Sequence, residues 1–235
     1  MADSVLALDP SNAVTLMSDS SAAMEPSSDP VASFVRNADR ERWLAVHYAP
    51  AAIRPALLSI HALDLELAKI VATTTEPMLG EIRLAWWREQ LEGLDRGQVP
   101  AQPVLQALAA EVLPRGVTGA ALALFEDAWV ARLDDDLATH VEARGRTVFG
   151  ALAAVLGGQD AEALGRSWAA GEAARLGETV PSITTPRPPT ALRSLAGMSA
   201  LGRRDSAVFA AGLPPESRAT PVRQLILLRA VMFGR

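Results

Sequence analysis

No cysteine occurs among the 235 residues, so disulfides, thiolate metal sites and cysteine nucleophiles are excluded, and the chain suits a reducing compartment. Lysine is nearly absent. Lys69 is the only one and all other basic residues are arginine, a skew read as coding bias rather than as special guanidinium chemistry. No basic residue precedes Arg36, so neither a secretory n-region nor an arginine-rich transit peptide is read and the expected location is cytoplasmic. The longest apolar stretches, 148–156 and 225–228, fall well short of the roughly 18 residues a transmembrane helix needs. Charge of one sign is not concentrated in a block either: 22 basic against 27 acidic residues give a net charge of −5, which argues against a nucleic-acid partner. Walker and dinucleotide-binding glycine patterns are missing, and Ser59 and Ser167 lack the glycines of a nucleophile elbow.

What the chain does have is helical periodicity, with 49% hydrophobic residues to build a core. The expected fold class is all-α, one helical domain over 30–235. Residues 1–29, rich in Ser, Ala and Asp with little apolar periodicity, are expected to form a disordered tail. Asp29-Pro30 pairs a cap with proline at the first helical position and predicts a helix to Tyr48 with a break near Asp39. Pro50 opens a second helix whose Ile53, Leu57, Ile60, Leu63 and Leu67 share one face. Glu76-Pro77 opens a third that runs through Leu94 and stops at Gly97. Further helices are predicted over 103–113, 118–133, 135–156, 160–178, 190–201, 205–211 and 220–233, with a proline-rich loop over 179–189.

Three blocks carry a resemblance: Arg42-Trp-Leu-Ala-Val-His-Tyr-Ala-Pro50, then Arg54-Pro-Ala-Leu-Leu-Ser-Ile-His-Ala-Leu63, then Glu76-Pro-Met-Leu-Gly-Glu-Ile-Arg-Leu-Ala-Trp-Trp-Arg88. Their order and spacing resemble the N-terminal half of the squalene/phytoene synthase family, and a weaker likeness continues through Asp136–Gly150 to Leu225–Arg229. The resemblance implies an isoprenoid-synthase-like helical bundle. It also implies a chemistry in which two aspartate-rich motifs on facing helices hold magnesium against prenyl diphosphates, hard cations preferring carboxylate and phosphate oxygens. Here the first motif's positions fall on or near Ala68, Lys69 and Ala72, and where the second is expected Glu172 stands alone. Asp64 and Glu66 remain as residual acidic groups near the expected cavity. Two residues apart on a helix, they point about 200° from one another and cannot grip one ion together.

Other candidates have plainer explanations. The triplet Asp134, Asp135 and Asp136 fans around an axis and fits helix capping better than metal binding. His47, His61 and His140 lack a metal-binding spacing, and His61 is expected to be a hydrogen-bonded core residue. Trp86 and Trp87 cannot face the same way on a helix. Arg83, Trp87 and Arg88 are therefore the candidate partner-binding or anion-binding surface, against the alternative of core packing. The resemblance extends to assembly factors of respiratory NADH:quinone oxidoreductase (complex I), which share the third block and also lack the aspartate pairs. It implies a non-catalytic protein with no cofactor and no metal, whose partners are subunits of that complex. A lipid or isoprenoid ligand and contact with the periphery of the inner membrane through Arg223–Arg235 are further expectations. The competing reading is a divergent prenyltransferase, which would require Mg.

Overall fold

The computed structural model describes residues 29–180 and 183–234. Of the tail predicted over 1–29, residues 1–28 lie outside them. Every regular element among the described residues is helical, as the 3.6-residue periodicity predicts. No helix among them is long and apolar enough to cross a membrane.

Local chemistry sets most of the helix ends. Asp29 caps α1 (Pro30–Ala38) through a hydrogen bond donated by the Val31 amide, 2.9 Å. Asp39 separates α1 from α2 (Arg40–His47), its Oδ1 accepting from the amides of Glu41 and Arg42. After one turn of 3₁₀-helix, α3 runs over Arg54–Thr73. Periodicity puts its apolar residues on one face; in the fold α3 is the central helix, and every residue from Ala56 to Asp64 is buried. It touches α1, α2, α4 (Pro77–Leu94), α5 (Pro103–Ala107), α7 (Phe125–Leu133) and α8 (Leu137–Val155).

The predicted helix over 103–113 is shorter and loosens after Ala107 into a π-turn and a 3₁₀-turn. Pro114, which has no amide to donate, sits in that final turn. The predicted helix over 118–133 divides at Leu124 into α6 (Gly119–Ala123) and α7.

The second half stacks α8, α9 (Glu162–Arg175), α10 (Arg193–Ala210) and α11 (Pro221–Phe233) in series. Glycines bring these helices together backbone to backbone. A Cβ on Gly165 would lie 2.0 Å from the Gly145 carbonyl oxygen, and one on Gly171 would lie 2.3 Å from the Gly202 Cα. This contact corrects the break predicted between 201 and 205. Gly202 does not end a helix but lies inside α10, where it admits the backbone of α9.

Candidate functional site

The positions that the resemblance sets against the first aspartate motif lie on the second half of α3. Ala68 is half-buried, and Lys69 and Ala72 are exposed. Glu66 and Lys69 face α4 across a groove of about 440 Å³ whose walls also include Ile70, Ile82, Arg83, Trp86 and Trp87. Asp64 points the other way, as its helical offset from Glu66 requires.

Asp64 has no exposed surface and is enclosed by the side chains that bond it. Its Oδ2 accepts from Arg42 Nη1 at 2.7 Å and from Arg144 Nη2 at 2.8 Å. Its Oδ1 accepts from Arg144 Nε at 3.0 Å and from Trp129 Nε1 at 3.2 Å. Burial alone would raise the Asp64 pKa, but the charges of Arg144 and Arg42 and their hydrogen bonds outweigh it and hold the carboxyl well below the usual carboxylate range. The two guanidiniums stack on indoles: Arg42 lies 4.9 Å from the Trp168 ring, and Arg144 lies 4.6 Å from both Trp129 and Trp168.

A second layer of ion pairs continues outward. Arg218 donates twice to Glu172, at 2.9 and 2.8 Å, and once to Asp39 at 3.1 Å. Arg223 lies between Glu41 and Asp205, and Asp205 also accepts from Arg175. Five carboxylates (Asp39, Glu41, Asp64, Glu172 and Asp205) are thus matched by five arginines (42, 144, 175, 218 and 223). Arg42 links the layers, reaching Asp64 and Asp39 and approaching Glu172 at 3.9 Å. The network leaves neither a free carboxylate for a cation nor a free guanidinium for a diphosphate. Among the described residues, no three His, Asp or Glu side chains group in a way that could hold a metal ion. The pocket beside His61, Leu57 and Met198 is about 10 Å³, roughly the size of one water.

The α4 surface differs from expectation. Trp87 is 6% exposed and belongs to the core, whereas Trp86, at 43%, is the exposed ring. The two rings meet edge to face at 5.5 Å. Arg88 turns away from the groove to bond Glu126 at 2.7 Å and Asp127 at 3.0 Å. The surface is therefore made by Trp86, Arg83, Lys69 and Ile82, continued by exposed Met78 and Leu79. Arg83 and Lys69 form no ion pair among the described residues; Arg83 makes only a 3.5 Å bond to Thr74.

His140 is buried and donates Nδ1–H to the Ala128 carbonyl at 2.7 Å; burial and the nearby Arg144 charge lower its pKa to about 4. His61 is also buried, but its Nδ1 has no hydrogen-bond partner, contrary to expectation, and burial followed by the Arg42 charge lowers its pKa to about 3. Asp136 caps α8 by accepting from the Thr139 amide. Arg223, expected on a membrane-facing surface, is 1% exposed and bonded inward.

Sequence reasoning missed Arg42 and Arg144 as site residues although both stand inside the resembling segments. The available signal was that Arg144 stands within a helix of mostly apolar pattern and Arg42 directly before an apolar run.

In comparisons with known proteins, residues 35–177 match the family model described as squalene/phytoene synthase. The match ends just after α9, short of the likeness read at Leu225–Arg229. No curated protein and no solved structure gives a significant match.

Proposed function

Because this chain belongs to the squalene/phytoene synthase family, we propose that it is a non-catalytic member of it, serving as an assembly factor for respiratory NADH:quinone oxidoreductase. The observation that carries the reading is the state of Asp64. It is the buried carboxylate of α3, one turn before the positions read as the first motif, and both its oxygens are taken by Arg42, Arg144 and Trp129. Ionising a prenyl diphosphate requires its negative charge to be met by metal ions on free carboxylates. Ala68, Lys69 and Ala72 offer none, Glu172 is held by Arg218, and Glu66 is a single carboxylate in the α3/α4 groove beside Lys69 and Arg83.

Partner binding falls to the α3/α4 groove, where exposed Trp86 stands beside Arg83, the residue types enriched at binding hot spots, with Lys69 adding a second charge that forms no ion pair among the described residues. The respiratory assignment rests on the likeness of Glu76–Arg83 and Trp86–Arg88 to the assembly factors that share those blocks.

The test has a biochemical and a genetic arm. With farnesyl or geranylgeranyl diphosphate and Mg²⁺, the purified protein is expected to release no pyrophosphate. Deleting its gene is expected to lower the level of assembled NADH:quinone oxidoreductase while C30 and C40 isoprenoids persist. Trp86→Ala combined with Arg83→Glu should reproduce the deletion with an unchanged melting temperature, whereas Trp87→Ala should cost about 3–5 kcal/mol of stability. Pyrophosphate release with a C30 or C40 product, or a normal respiratory complex in cells that lose such a product, would make the chain a prenyltransferase.

A further inference from the structure

Helix α11 is apolar on both sides. Leu227 and Ala230 pack inward, while Val222, Leu225, Leu228, Met232 and Phe233 are exposed. Helices hydrophobic all round are ordinarily enclosed, yet α11 packs mainly on α10, at one end of the stack. Side chains of this size, contiguous on one helix, mark a contact surface.

Charge identifies what the surface contacts. Residues 179–235 contain eight arginines and two carboxylates, in a chain whose net charge is −5. Both carboxylates, Asp205 and Glu216, are engaged by Arg175, Arg204 and Arg223. Arg187, Arg193 and Arg229 enter no ion pair among the described residues, and they gather around the C-terminal half of α11. Arg229 lies on its outer face, and Arg193 Nη1 donates to the Met232 carbonyl at 3.1 Å. The Arg187 stem packs on Gly234, where a Cβ would lie 3.1 Å from its Cγ. Arg193 Nε and Ser194 Oγ are buried without partners, and both residues line a pocket of about 310 Å³ beside Val231.

A protein partner would need a groove shaped to a convex helix and rimmed with acid. A bilayer with anionic headgroups supplies an apolar layer beneath negative charge and makes no demand on shape. We propose that the outer face of α11 lies on an anionic lipid bilayer. Leu225, Leu228 and Met232 reach the acyl boundary, Arg187 and Arg229 meet phosphates, and Arg193 with Ser194 receives a headgroup. The acidic remainder of the chain is repelled by such a surface, which fixes the orientation. This surface is separate from the α3/α4 groove and does not rest on the respiratory reading.

Flotation of the full chain with phosphatidylcholine vesicles, with and without phosphatidylglycerol, tests the proposal. The protein is expected to float only with the anionic vesicles and to be released by high salt. Leu225→Gln with Met232→Gln should abolish flotation at an unchanged melting temperature, because both side chains are exposed. Arg187→Gln with Arg229→Gln should weaken binding roughly thirtyfold, at about 1 kcal/mol for each arginine near the surface. Failure of the unaltered chain to float, or equal flotation with neutral vesicles, overturns the proposal. A concentration-dependent dimer dispersed by Leu225→Gln also overturns it, assigning the face to a second copy of the chain.

Discussion

Asp64 is the residue on which the interior depends, because two guanidiniums and an indole N–H converge on one carboxylate with no contact with water. Removing one partner of a buried ion pair leaves the other charge uncompensated, which costs about 3–5 kcal/mol. Asp64→Ala should therefore lower unfolding stability by that amount at neutral pH. The loss should be visible as an earlier urea midpoint with an unchanged slope. A change below about 1 kcal/mol would mean that Arg42 and Arg144 find other acceptors. Glu172→Gln should be milder, since Glu172 is partly exposed and Arg218 keeps Asp39.

Among the elements, α9 and α10 are distinguished by how closely their backbones approach. A Cβ on Gly202 would meet the Ser167 carbonyl oxygen at 2.4 Å and the Trp168 Cα at 2.7 Å, atoms that cannot move without shifting the whole helix. Gly202→Ala is expected to cost at least 1–3 kcal/mol, as overpacking a fixed contact does. Gly150→Ala on α8 is the control. A Cβ there has nothing within 4 Å, and the substitution should stabilise by roughly 0.4–1 kcal/mol through helix propensity and a less flexible unfolded chain. Thermal melts of the two variants should move in opposite directions. The same glycine explains why α10 reads as two helices in sequence: Gly202 before Arg203, Arg204 and Asp205 has the composition of a helix end, and only the backbone of α9 shows that it is a crossing point.

For the whole molecule, the buried histidines link stability to pH. Their native pKa values, about 3 for His61 and about 4 for His140, lie below the ordinary 6.5. Below pH about 6.5 the unfolded chain therefore binds protons that the folded chain refuses, so stability rises with pH and is fully present above that value. Each histidine contributes a loss of about 1.4 kcal/mol per pH unit on acidification from 6.5 toward 4. Unfolding free energies at pH 7.5 and pH 5 should differ by roughly 4 kcal/mol, and His61→Leu should nearly halve the difference. Below pH 4 protonation of Asp64 adds to the loss. Glu126, whose pKa is raised by burial, opposes it slightly near its own titration. A flat profile between pH 7.5 and 5 would show that both imidazoles stay ionisable in the fold.

What the sequence determined by itself was local and cumulative. Helical periodicity, the caps at Asp29, Asp39 and Asp136, and the prolines opening α1 and α4 follow from interactions among residues a few positions apart, so they appear in the chain without knowledge of the rest. Family membership was legible for the same reason, through the blocks at 42–50, 54–63 and 76–88. Tertiary structure decided where single side chains face and whom they meet. It placed Trp86 rather than Trp87 at the surface, drew Arg223 inward, and brought Arg42, Trp129 and Arg144 from three helices onto Asp64. Pairings of this kind depend on how distant helices cross, and the crossings at Gly145 with Gly165 and Gly171 with Gly202 are set by backbone contact between elements that no local pattern connects.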